Sequence, residues 1–81
     1  MHIDMTIDFT VVDDDGLTHA SLRDADDRAR VTPGRHVVVA DDDAEPAVAR
    51  VVELRPDDVV LLRVLPGTAA EHAHLVAREP A

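Results

Sequence analysis

From Ile3 to Val11 every second residue is apolar: Ile3, Met5, Ile7, Phe9 and Val11 alternate with Asp4, Thr6, Asp8 and Thr10. Successive side chains of a strand point to opposite faces, so the pattern predicts a half-buried β-strand with these five apolar groups inward and its aspartates in solvent. A helix would scatter the same residues around its circumference. The chain is therefore expected to begin with a sheet that has one dry face.

Punctuation along the rest is sparse and regular. The glycines Gly16, Gly34 and Gly67 each follow Asp or Pro in a turn dipeptide. Asp15-Gly16 predicts a hairpin joining the first strand to a second over Leu17 to Leu22. Residues 23 to 34 are polar and read as a long connection, with a short helical turn after Ser21. Three valine-rich strands follow, Arg35 to Ala40, Ala47 to Leu54 and Val59 to Leu65, because a branched Cβ suits a pleated surface. Their short acidic linkers, Asp41 to Pro46 and Arg55 to Asp58, predict hairpins. Thr68 and Glu71 have capping-box spacing, which starts a helical turn after Pro66-Gly67. His74 to Ala77 either continue that helix or form a last short strand, and the strand is the reading taken. The fold class expected is mainly β, a single small domain over residues 1–81 built as a barrel or sandwich of five or six short strands.

Residues Thr32 to Leu54, TPGRHVVVADDDAEPAVARVVEL, carry a resemblance. Their Pro-Gly, strand, acidic turn and Ala-x-Val strand resemble a passage of SH3-like β-barrels and, more loosely, short uncharacterised proteins from actinobacteria. The resemblance implies an SH3-like, five- to six-stranded antiparallel barrel with one short C-terminal helical turn. Barrels of the KOW and TOBE type bind nucleic acid or ligands, but their basic and aromatic surface positions find acidic or aliphatic residues here. No site residue is transferred.

Charge points the same way. Seventeen acidic against eight basic side chains give a net charge of −9, which opposes approach to nucleic acid or an anionic membrane and favours cationic partners. The densest basic group, Arg23, Arg28, Arg30 and Arg35, is nearly neutralised by its own aspartates and reads as a salt-bridged loop. No cysteine is present, so disulfides, thiolate nucleophiles and cysteine-held metals are excluded. With no apolar run near twenty residues and no basic leader, the expected location is cytoplasmic.

Chemistry-bearing patterns are weak. The triplets Asp13 to Asp15 and Asp41 to Asp43 supply oxygen donors of the kind that hold Ca²⁺ or Mg²⁺, but an EF-hand frame from Asp41 places Pro46 at the glycine position and Val52 at the terminal glutamate position. They read as turn aspartates. Of the five histidines, His2, His19, His36, His72 and His74, only His72-x-His74 forms a close pair. Ser21 lacks a G-x-S-x-G setting, and no phosphate-binding glycine loop can be assembled. No catalytic residue, metal ligand or cofactor is therefore expected.

The surplus of apolar residues is more telling. In the last strand Val60, Leu62 and Val64 occupy one face, while Val59, Leu61 and Leu65 occupy the other beside Arg63. Ala47, Ala49 and Val51 likewise oppose Val48, Val52 and Leu54. A barrel has one interior, so the second face is to be covered by the C-terminal segment around Leu75 and Val76, by a second copy, or by a partner protein. Val59, Leu61, Leu65, Ala49 and Val51 are the candidate interface. The function expected is a non-enzymatic interaction or accessory module, with a protein partner or homodimer. A divalent-metal protein using its acidic loops and a nucleic-acid-related SH3-like domain are the alternatives.

Overall fold

Valine builds the centre of the sheet. The computed structural model describes residues 2–42 and 44–77. Its strands are β1 (Met5–Thr6), β2 (Thr18–Ser21), β3 (His36–Asp41), β4 (Ala44–Arg55) and β5 (Val59–Val64), followed by a 3₁₀ turn over Ala70–His72 that runs into the helix α1 (Ala73–Ala77). The strand order is β1-β3-β4-β5-β2, and the sheet curls into a half-barrel. The three strands read from their valines are β3, β4 and β5, joined by hairpins as expected.

Alternation along these strands sorts their side chains onto two faces. The concave face holds Val37, Val39, Ala47, Ala49, Val51, Val60 and Leu62, packed with Met5, Ile7 and Val31. Val38 and Val48 point the other way, where Ala69 seals them and Ile3, Leu65 and Val76 pack alongside. The C-terminal segment thus covers the outer face of β3 and β4.

Two bulges shape β4. Between Val39↔Ala47 and Asp41↔Ala44 it carries one extra residue beside Pro46, which has no N–H to give a ladder. Between Val51↔Leu62 and Glu53↔Leu61 the extra residue is Val52. The β4–β5 link is tight, with Asp57 at φ 66° and Asp58 at φ 61°, a left-handed conformation that Asp tolerates better than most side chains. At the start of the helical segment the capping box forms, Thr68 Oγ1 accepting from Glu71 N at 3.4 Å and Glu71 Oε1 accepting from Thr68 N at 3.4 Å. Gly67 has φ 97°, and a Cβ there would lie 2.7 Å from Glu71 Oε2, so this turn requires glycine.

Several expectations are corrected. The sheet is mixed rather than antiparallel throughout, and it is a half-barrel rather than a closed barrel. The first strand is two residues long and pairs parallel with β3, through Met5↔Val39 and Thr6↔Ala40, instead of forming the first arm of a hairpin with β2. The Asp15-Gly16 turn does form, but its arms are short, held by the Val12↔Thr18 bridge and by Asp13 N donating to Leu17 O at 2.9 Å. Ile3 belongs to the outer layer, Val11 is exposed, and Asp4 is buried at 4% exposure. Residues 74–77 are helical rather than a last strand.

Candidate functional site

The proposed interface residues lie mostly inside the molecule. Ala49 and Val51 are fully buried in the concave core, and Leu61 is 2% exposed. Val59 is half-buried, and Leu65 packs on the layer around Val38 and Val48. These side chains are used within the chain and leave little surface for a partner.

The polar clusters are occupied by local structure. Asp13 Oδ1 accepts from Asp15 N at 2.9 Å and Leu17 N at 3.0 Å, while His19 Nε2 donates to Asp13 Oδ2 at 2.8 Å. The His19 bond, followed by that from Leu17, holds the Asp13 carboxyl below its ordinary 3.8. Asp8 is lowered likewise, chiefly by the Thr10 hydroxyl that donates to it at 2.6 Å. Asp41 Oδ2 accepts from Phe9 N at 3.1 Å, tying the N-terminal segment to the end of β3. Asp42 is exposed, and Asp43 lies outside the described residues.

The histidines are dispersed. His2 Nε2 is 2.9 Å from Asp26 Oδ2, His72 Nε2 donates to Pro66 O at 2.7 Å, and His36 sits on β3 opposite Arg50. Among the described residues no three His, Asp or Glu side chains are grouped so as to hold a metal ion. Ser21 Oγ accepts from Arg23 N as a turn cap. The basic loop is ion-paired: Arg23 and Arg28 reach Asp58 at 3.8 and 3.6 Å, and Arg30 Nε lies 3.3 Å from Asp4 Oδ1.

Two shallow grooves mark the surface. One, of about 300 Å³, lies between the β4 bulge and the helical segment, along Glu45, Pro46, Thr68, Ala69 and Ala70. The other, of about 340 Å³, runs between β1 and residues 24–26. Neither collects a nucleophile with a base. Among the described residues no helix is long and apolar enough to cross a membrane.

The strand edges are more informative. The outer edge of β1 is covered by residues 25 and 26, through Met5↔Ala25 and Asp26 N donating to Asp4 O at 2.8 Å. The outer edge of β2 is bordered by residues 11–13, with His19 N donating to Val11 O at 3.3 Å. β4, however, outruns β3. The two pair as far as His36↔Arg50, and Val51 closes the contact by donating to Arg35 O and accepting from Gly34 N. Beyond that point residues 53–55 pair with β5 alone. No described strand lies against the other edge of residues 52–55, and this overhang carries two of the exposed large apolar side chains, Val52 at 38% and Leu54 at 40%. Both belong to the apolar face expected to be covered by the C-terminal segment, a second copy or a partner, and within the described chain they stay exposed. The available signal was length: the β4 run outlasts the run that precedes it.

Comparison with protein-family models, curated proteins and solved structures gives no match.

Proposed function

We propose that this protein is a non-enzymatic interaction module of SH3-like character that binds a polypeptide along the overhang of β4. The observation that carries the reading is the unpaired edge at residues 52–55, which joins backbone donors and acceptors to the exposed Val52 and Leu54. An extended segment added there continues the sheet: main-chain bonds supply attraction, and alternate side chains supply selectivity. Of the candidate interface residues, Ala49, Val51 and Leu61 are buried within the chain, which favours the overhang as the binding surface.

The test places a photocrosslinking amino acid at Glu53 and compares Leu54→Glu with the unaltered chain. An adduct of one discrete mass, whether a second copy or another polypeptide, is expected, and Leu54→Glu is expected to abolish it while preserving the circular dichroism spectrum and the melting temperature. Adducts of scattered mass, or one that survives Leu54→Glu, overturn the reading.

A further inference from the structure

The overhang of β4 is complementary to itself. It reads Val52, Glu53, Leu54 and Arg55. Leu54 stands opposite Val60 of the concave core, so it lies on that side of the sheet. Glu53 and Arg55, opposite Leu61 and Val59, share the outer side. Their side chains are half in solvent and joined by an ion pair of 3.0 Å. Among the described residues, the backbone of residues 52–55 bonds to no segment other than β5.

Charge then selects how two such edges can meet. Two copies laid edge to edge and antiparallel are related by a two-fold axis normal to the sheet, and facing residues must share one side of it. With the axis at Leu54, that residue faces Leu54 of the second copy, while Glu53 and Arg55 each face the opposite charge. Four charges alternate in a square on the outer side, each with one opposite neighbour along its strand and another across the ladder. Moving the axis to Glu53 or to Arg55 sets like charges opposite each other, which repels. Parallel pairing turns one copy over and sets the charges against apolar residues.

We infer that the polypeptide bound by the overhang is a second copy of this chain, its residues 52–55 paired antiparallel about a two-fold axis at Leu54. The inference rests on the overhang being the binding edge and names its occupant. The contact uses the same edge of both copies, so it closes at a dimer instead of growing into a filament. At each end Val52 faces Pro56 of the second copy, which has no N–H to extend the ladder. The interface is therefore short and the dimer reversible.

The test is sedimentation velocity from about 10 μM to about 1 mM, the range suited to a small interface. The unaltered chain is expected to pass from monomer to dimer across it. Glu53→Arg and Arg55→Glu each turn two facing pairs from attraction to repulsion and should weaken association by about tenfold or more. An equimolar mixture of the two variants restores opposite charges at every facing position and should recover the dimer. The chain has no cysteine, which permits a second measurement. Under oxidation Leu54→Cys should form a disulfide-linked dimer, because facing residues of a ladder lie about 4.5 to 5.5 Å apart, within disulfide reach. Val52→Cys should stay monomeric. A chain that remains monomeric throughout, single variants that associate as the unaltered chain does, or a mixture that fails to recover overturns the inference. The photocrosslink at Glu53 separates this failure from that of the broader reading. A discrete adduct with another polypeptide, from a chain that sediments as a monomer, keeps the overhang as a binding edge and removes the second copy, whereas neither adduct nor dimer removes both.

Discussion

Asp4 is the most consequential polar residue of the chain. Its side chain is buried and its Oδ2 accepts from the Val38 N–H at 2.8 Å, while its own N–H donates to Val38 O at 2.8 Å. Arg30 Nε approaches the other carboxylate oxygen at 3.3 Å, from a side chain 27% exposed. Asp4→Ala strands a buried backbone donor, which costs about 1 to 3 kcal/mol. It also frees a partly hydrated Arg30, which costs about 1 kcal/mol or less. The sum, about 1 to 4 kcal/mol, is a substantial share of the roughly 5 to 15 kcal/mol that holds a domain of this kind folded. Asp4→Asn retains a carbonyl acceptor for Val38 and removes only the charge, so it should cost about 1 kcal/mol. Urea unfolding followed by circular dichroism measures both values, and hydrogen exchange at the Val38 amide reports the bond itself. An Asp4→Ala variant within about 0.5 kcal/mol of the unaltered protein, or an Asp4→Asn variant as costly as Asp4→Ala, refutes the reasoning, because either result means the carboxylate is not the acceptor that Val38 requires.

Leu61→Asp, at a position 2% exposed, places a carboxylate in a dry site and should cost about 4 kcal/mol or more, unfolding the domain at ordinary temperature in a thermal melt. Val52→Asp, on the exposed overhang, should stay within about 0.5 kcal/mol and serves as its control. The Asp13 carboxyl is lowered in the folded chain by His19 and Leu17, so it contributes stability above its unfolded value of 3.8 and loses it as pH falls through the lower folded value. A melting series from neutral pH to strongly acid pH should therefore decline less steeply below about 3.8 in Asp13→Asn than in the unaltered chain, and identical slopes would show that Asp13 is not linked to folding. Arg63→Glu replaces the repulsion with Arg50 by an attractive cross-strand pair and should add about 0.5 to 1 kcal/mol, raising the melting temperature by a few degrees. A lowered melting temperature would place Arg63 in a stabilising contact instead.

How far the sequence reveals this fold depends on whether a signal is local. The three central strands were legible because each consists of consecutive valines and alanines bounded by Pro, Gly or Asp, and branched residues in such runs favour a pleated surface wherever they lie. The capping box of Thr68 and Glu71 was legible for the same reason. The N-terminal segment misled because alternation reports which faces are apolar and says nothing about which strand is the partner. Met5, Ile7 and Phe9 do pack on the main core, but Ile3 crosses to the outer layer, and Asp4 turns inward because Val38 on an edge of β3 offers an N–H for its carboxylate to accept. Polarity alone assigned Asp4 to solvent. The helix at residues 73–77 was misread because Ala73 to Ala77 is too short a run to separate a period of two from one of 3.6. The surplus of apolar residues on β3 and β4 was legible, and so was the C-terminal segment as one of its covers. Which surface stayed open was missed, although the longer apolar run of β4 against that of β3 carried the signal.

That mismatch ties the fold to the proposed function. A sheet invites unwanted pairing along its edges, and this chain deals with its outermost edges using its own backbone, residues 25 and 26 beside β1 and residues 11–13 beside β2. At residues 52–55 it uses milder means. The Val52 bulge twists the strand, and the Glu53–Arg55 ion pair at 3.0 Å places charge on the segment. A bulge and a charge pair hinder flat stacking of many identical copies, but they leave the backbone groups and Leu54 accessible. On the proposed function, this balance discourages open-ended aggregation and leaves room for one segment of matching twist. A covering loop would have removed both outcomes together. On the proposed function, an overhang left bulged rather than buried is what separates a binding edge from a structural end.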